Sequence, residues 1–562
     1  MSLHARWRRA RAAAIGTVTI GLLATGCGGS SGGSSTDPDT LIVYTGLAGQ
    51  WQRNYNPYSP ESIEGIGSIY EPLFFFNIAR QDEPTSRLGT EFAWNDDGTE
   101  LAITLREGVT WSDGEAFDAE DVAFTFDMIR DTPAFNSFGF DGSTEVVDAN
   151  NVLVSFEEPS YMDAPQLLGK TYVVPEHIWS GIEEPETDIM ADPIGTGPFR
   201  LGNFEPQAFT LEANPDYWDG EPDLKNVRYV ALSGNQAGAD ALAAGEIDWQ
   251  TGPVPDIANF ERNHEGYKSI TIPMNQMVLA TCSNVELGCE GPQTDPAVRH
   301  AIFHAMDRDV LNSLAFQDTA SEISPGFALP ERDAAYVSAQ LENRVANGSA
   351  DTAQSEEILE AAGYQRGSDG IYAKDGVKLE LSVRVVTGWT DYITAVNTMA
   401  EQLNEAGIKL NVNQASWNET TDARNSGNFQ LAIDSLYPGA SPDPYYVYYQ
   451  FFHSQSTKPV GESANPNWAR YANDEVDEAL EELSQLDPDA GQDVRQPFYD
   501  TIQANIEQDM PYIPILVGGT TSQFNSGKFT GWPTDVNLYA FPAVWSRPDQ
   551  SQIFANLKPA GE

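Results

Sequence analysis

The chain has 562 residues, of which 41% are hydrophobic and 11% aromatic. That is enough apolar material for two or more cores, and it excludes a disordered chain. Against 31 Lys and Arg stand 83 Asp and Glu, a formal net charge of −52; such a surface repels phosphate backbones and anionic membranes, which excludes nucleic acid as a partner and suits solubility in a salty or acidic medium.

In chain order, Arg6–Arg11 forms a basic n-region and Ala12–Ala24 an apolar segment too short to span a bilayer. Leu22-Leu23-Ala24-Thr25-Gly26-Cys27 then runs into a Gly/Ser stretch, Gly28 to Ser35. This resembles the lipobox of bacterial lipoproteins, with Ala24 where the usual pattern has Leu. It implies a signal peptide over 1–26, an acylated Cys27, a tether over 27–39, and a protein anchored by lipid to the outer face of the cell membrane. Outside the cell, Cys282 and Cys289, with six residues between them, are expected to form a local disulfide. No second Cys or His pair lies near them, and no metal is expected. No later apolar run approaches 18 residues, so no further span is predicted.

Leu101–Leu105 and Leu379–Val386 read as strands, while Glu120–Arg130, Glu356–Ala362, Asp391–Glu405 and Val476–Leu483 carry helical spacing. Asp118-Ala119-Glu120-Asp121 is an acidic helix start, favoured by the helix dipole. Asn95-Asp96-Asp97-Gly98, Ser112-Asp113-Gly114, Asn214-Pro215-Asp216 and Asp369-Gly370 predict turns. Strands alternating with helices, without an internal repeat, predict an α/β architecture.

The motifs are Ile69-Tyr70-Glu71-Pro72-Leu73-Phe74, Trp94 to Thr99, Leu105-Arg106-Glu107-Gly108-Val109-Thr110-Trp111-Ser112-Asp113-Gly114 and Glu115 to Val122. Pro193-Ile194-Gly195-Thr196-Gly197-Pro198-Phe199, Asn214-Pro215-Asp216-Tyr217-Trp218, Gly245-Glu246-Ile247-Asp248 and Pro296 to Ala301 follow. Ala305 to Arg308, Leu359 to Tyr364 and Asp477 to Leu480 complete the series. Taken in order over nearly the whole mature chain, these segments resemble the family-5 extracellular solute-binding proteins, a group that includes oligopeptide, nickel and cellobiose binders.

The resemblance implies a two-lobed periplasmic-binding-protein fold of type II with a hinged cleft. Lobe one is expected over 40–278 plus 515–562, with an inserted subdomain at about 70–190, and lobe two over 279–514. The crossings are expected near Asn275–Leu279 and Pro514–Gly518. It also implies a monomer that presents a captured solute to ABC permease subunits. Read as framework, Gly114 and Gly195-Thr196-Gly197 suit tight turns, and Arg299, Asp307 and Arg308 an ion-pair network on one helix. No catalytic residue and no cofactor are expected. The Gly-x-Ser-x-Gly match at Gly29 to Gly33 lies in the tether, and His300 and His304 lack the glutamate of a zinc protease. With no phosphate-binding loop, the ATPase must be a separate subunit.

Two solute classes remain open. Peptide binders of the family carry a lobe-two acid that pairs with the peptide's α-amino group. Aligning Pro442-Asp443-Pro444 puts Ala440 at that place, with Asp434 or Asp443 as stand-ins. A buried ammonium without a carboxylate costs several kcal/mol, which favours an oligosaccharide of the cellobiose type over an oligopeptide. Sugars need flat aromatic faces and hydroxyl partners. The candidates are Trp51, Trp249, Trp389, Trp417, Tyr437 and Trp468, with Asn77, Gln250, Asp391 and Asn418 as polar partners.

Overall fold

Two long antiparallel strands organise the molecule, which is known as a computed structural model describing residues 38–561 apart from 47, 48, 465, 488 and 489. Cys27, the leader and nearly all of the tether lie outside the described residues. The ten strands of the main sheet are β1 (Thr40–Tyr44), β2 (Phe199–Glu205), β3 (Ala208–Ala213), β4 (Asn226–Val230) and β5 (Trp249–Thr251). They continue with β6 (Tyr267–Thr281), β7 (Glu380–Val386), β8 (Lys409–Ala415), β9 (Leu431–Leu436) and β10 (Tyr512–Asn525). Their order across the sheet is β8-β7-β9-β6-β10-β5-β1-β4-β3-β2.

The long pair β6 and β10 is shared by both halves of the sheet. Its outer end, Tyr267–Pro273 against 519–525, is flanked by β5, and its other end, Gln276–Thr281, pairs with β9. Between the two the register slips at Pro273/Asn275 and again at Met277/Val278. Pro273 has no N–H to give to the ladder, which accounts for the first of these slips. Two cores result. One draws on 274–517, with Ile78, Met162, Phe541 and Ala543 added; the other draws on 41–270 and 524–557. The fold is a two-lobed α/β structure with a mixed sheet.

Each half contributes a parallel triplet, β5-β1-β4 and β8-β7-β9. The register fixes their senses. Thr251, the last residue of β5, pairs with Ser522 on the hinge side of Phe524, and Leu436, the last of β9, pairs with Gln276. The carboxyl ends of the two triplets therefore point at each other across the centre of the long pair. Ligands of open α/β sheets bind at such carboxyl edges.

A separate antiparallel sheet, built from Gly89–Trp94, Glu100–Leu105, Asn151–Ser155 and Ser143–Asp148, lies between β1 and β2 in the chain. Helix α1 (Ala119–Asp131) starts where the acidic segment predicts, in a capping box. The Asp121 carboxylate accepts from the Asp118 N–H, the Trp111 indole (3.0 Å) and the Glu176 N–H (2.9 Å).

The sequence motifs converge on one carboxylate. Glu71, 1% exposed, accepts from Arg87 (2.8 Å), the Tyr217 hydroxyl (2.9 Å) and the Trp218 indole (2.9 Å), while Arg106 stacks over Trp218 at 4.1 Å. Ion pairing is not what holds Arg299 and Arg308, and they do not share a helix. Arg299 lies on Pro296–Ala305, whereas Arg308 opens Arg308–Phe316 with Asp307 as its N-cap. Their guanidiniums donate to main-chain carbonyls, Arg299 to Gln293 and Asp509, and Arg308 to Pro514 and Ile515 of β10. Backbone oxygens near a strand end offer planar, fixed acceptors for a guanidinium. Cys282 and Cys289 are disulfide-bonded just beyond β6. Among the described residues, no helix is long and apolar enough to cross a membrane.

Candidate ligand-binding cleft

Three aromatic side chains follow the carboxyl ends of the lobe-two triplet in immediate succession. Trp389 comes three residues after β7, Trp417 two after β8 and Tyr437 one after β9. Helices α2 (Thr390–Glu405) and α3 (Trp417–Asn425) begin at this edge. Trp389 and Trp417 lie 5.3 Å apart between ring centres, and Trp389 meets Tyr392 edge-on at 5.5 Å. Trp417 and Tyr437 are 38% and 39% exposed, and Trp389 is partly buried. This is a row of partly open aromatic faces along one edge.

Packing corrects the other aromatic expectations. Trp51 (7% exposed) lies edge-on to Phe209 at 5.3 Å, and Trp249 (0%) sits against Trp532 and Phe554. Both belong to the lobe-one core, with no face left for a sugar. Trp468 (2%) lies behind the edge, where the Arg424 guanidinium covers its ring at 3.8 Å. The polar candidates Asn77 and Gln250 are buried and already engaged. Asn77 donates to the Leu538 carbonyl and accepts from the Ala79 N–H; Gln250 donates to Gln523. Asn418 is exposed on α3.

The acids nearest the row are also engaged. Asp434 is ion-paired with Arg424 and accepts from the Ser435 N–H at 2.8 Å. Asp443 accepts from Arg495 (2.7 Å) and the Tyr499 hydroxyl (2.6 Å), while Ala440 is fully buried. Asp391 is held by Asn235 at 3.2 Å, and enclosure pushes its carboxyl up to about 6.

Sequence reasoning missed Trp545. It is partly buried and packs against both cores. Its segment is tied to the lobe-one carboxyl edge, where Thr251 Oγ1 accepts from the Val544 N–H at 3.0 Å. No strand ends beside Trp545 in the chain; only the return of the C-terminal segment brings it there.

The separate sheet meets lobe two through α4 (Tyr445–Phe452), where Tyr446 donates to the Met162 carbonyl (2.9 Å) and Tyr449 to that of Phe138 (3.0 Å). Beside Met162, burial and the nearby Asp141 push the Asp163 carboxyl up to about 7. An unfolded Asp titrates near 4, so the native state holds this proton more tightly and loses stability as pH rises from about 4 to 7. Asp163→Asn is therefore expected to raise the melting temperature at pH 8 and leave it nearly unchanged at pH 4. Equal shifts at both pH values would contradict this.

With fold and cleft defined, comparison identifies the class. Residues 83–459 match the family model described as bacterial extracellular solute-binding proteins, family 5 Middle, and the chain belongs to that family. Protein XP55 of Streptomyces lividans is 29% identical over 394 residues, 69% of this chain and 68% of its own. The oligopeptide-binding protein AppA of Bacillus subtilis (strain 168) is 25% identical over 482 residues, 80% of this chain and 84% of its own. Among solved structures, the mannohexaose-bound periplasmic oligopeptide-binding protein of Thermotoga maritima superposes with a TM-score of 0.84 at 23% identity, covering 93% of this chain and 99% of that one. AppA in complex with a nonapeptide gives 0.77 at 20%, covering 93% and 99%. The chain is thus the substrate-binding protein of a family-5 ABC importer, a transport protein and not an enzyme, acting outside the cytoplasm with an ABC permease.

Proposed function

We propose that the chain captures an oligosaccharide between the two facing carboxyl edges and delivers it to the permease. The observation that carries this is the row Trp417–Trp389–Tyr437, three partly open aromatic faces just past the carboxyl ends of neighbouring parallel strands. Such faces match the C–H faces of successive pyranose units, and hydroxyls need neutral or anionic partners beside them. The state of the acids supports the same reading. A peptide's α-ammonium needs a free carboxylate, whereas Asp434 and Asp443 are committed to Arg424 and Arg495. The mannohexaose bound by the Thermotoga protein is in line with a sugar, and the nonapeptide bound by AppA keeps oligopeptide as the second reading.

In this proposal lobe one comprises 40–278 and 515–562, lobe two comprises 279–514, and the pair β6–β10 bends near Pro273 as the lobes close on the solute. The protein works as a monomer, held to the membrane by lipid on Cys27. A melting-temperature screen against cello-, xylo- and manno-oligosaccharides and a mixed peptide library tests the solute class, because a ligand of the folded state raises the midpoint as its excess over Kd grows. A shift with one sugar series is expected; a shift with peptides alone overturns the reading.

A further inference from the structure

Away from the long pair, backbone of one lobe closely approaches backbone of the other at Gly234 and Gly388. Gly234 ends the turn after β4, and Gly388 lies between β7 and Trp389; both have positive φ, 138° and 92°. A Cβ on Gly234 would stand 3.0 Å from the Gly388 carbonyl oxygen and 3.1 Å from its Cα, and a Cβ on Gly388 would stand 3.3 Å from the Ser233 carbonyl oxygen. Only glycine on each side lets the chains approach this closely without strain. The next residues join the loops by hydrogen bonds. The Asn235 N–H donates to the Gly388 carbonyl at 3.3 Å, and Asn235 Nδ2 donates to Asp391 Oδ1 at 3.2 Å.

We infer that Gly234–Asn235 and Gly388–Asp391 form a latch between the lobes, and that the latch couples closure to the aromatic row. The coupling is covalent in origin. Trp389 lies between the two lobe-two contact points, Gly388 and Asp391, so a ligand ring that fixes the Trp389 indole also fixes the loop that receives Asn235. Gly388 and Asp391 can meet Asn235 only when the carboxyl edges have come together, so the contacts belong to the closed form. Asp391 and Asn235 are positioning residues in this scheme, acting on the solute through Trp389 and through the width of the cleft. The scheme rests on the reading of this cleft as the solute site, but the latch can be tested without any solute.

The test is the double variant N235C/D391C in the full chain with Cys27→Ser, since Cys282 and Cys289 are already paired. A short bifunctional methanethiosulfonate is added with and without mannohexaose. The expected result is a cross-link in the ligand-free protein that forms faster with the sugar, with release of bound sugar slowed at least tenfold until dithiothreitol restores it. In the otherwise native chain, Asn235→Ala should release mannohexaose about fivefold faster, the scale of one lost hydrogen bond, at an unchanged melting temperature. Failure to cross-link under either condition, or unchanged release in Asn235→Ala, overturns the latch. If mannohexaose does not bind at all, the sugar that shifts the melting temperature most takes its place, while cross-linking of the ligand-free protein still decides the latch.

Discussion

Glu71→Ala is expected to cost about 3–5 kcal/mol of folding stability, the range for removing one partner of a buried ion pair. Glu71 and Arg87 are 1% and 5% exposed, and the carboxylate is also the acceptor for Tyr217 and Trp218. Its removal leaves a buried guanidinium without a counter-charge and takes an acceptor from the Tyr217 hydroxyl and the Trp218 indole. The segments tied together there come from 71, 87, 106 and 217–218, so the loss unfastens the start of the separate sheet from the turn that follows β3. Against a total of about 5–15 kcal/mol for a typical domain, this is a large fraction. Glu71→Gln keeps one acceptor oxygen and is expected to cost less. Urea unfolding of the three proteins checks the order, and a cost below about 1 kcal/mol for Glu71→Ala would mean the network holds nothing that packing does not already hold.

The second large effect is on binding. Trp389→Ala is expected to weaken oligosaccharide affinity by about 2 kcal/mol, roughly 30-fold, the scale of an aromatic anchor at an interface. The indole is partly buried, touches Trp417 and Tyr392, and is not part of either core. Its loss therefore leaves the melting temperature of the ligand-free protein within a few degrees of wild type. Trp249→Ala offers the opposite pattern. That indole is fully buried between Trp532 and Phe554, so its removal opens a cavity and costs about 3–5 kcal/mol of stability. Affinity measured by titration and stability measured by melting separate the two variants cleanly.

The contrast between these two tryptophans explains what the sequence could reveal. Of Trp389, Trp417 and Tyr437, only Trp389 follows a strand that the sequence pattern marks, Leu379–Val386; Trp417 and Tyr437 follow β8 and β9, which it does not mark. The carboxyl ends of parallel strands are where a sheet leaves room for a ligand. Trp249 sits at the start of β5 instead, and its motif says nothing of which way the strand faces. The local elements were readable for a similar reason. Periodicity places helices over 120–130 and 391–405, and the observed ones run Ala119–Asp131 and Thr390–Glu405. What periodicity does not carry is convergence over long separations. The segments around Glu71, Arg106 and Trp218 each read as a turn or strand edge, and only the folded chain brings them to a single carboxylate. Trp545 was hidden in the same way, since Thr251, which accepts from the adjacent Val544 N–H, lies 293 residues earlier in the chain. The ion-pair network expected of Arg299, Asp307 and Arg308 does not form, because the Arg308 guanidinium meets the buried carbonyls of Pro514 and Ile515 in β10.

The most direct test of the central claim is the crystal structure of the protein with the oligosaccharide that shifts its melting temperature most. The account predicts pyranose rings lying on Trp389, Trp417 and Tyr437, with Asn235 hydrogen-bonded to Asp391 across the closed cleft. A solute bound elsewhere, or a peptide whose ammonium pairs with a carboxylate released from Arg424 or Arg495, would contradict it.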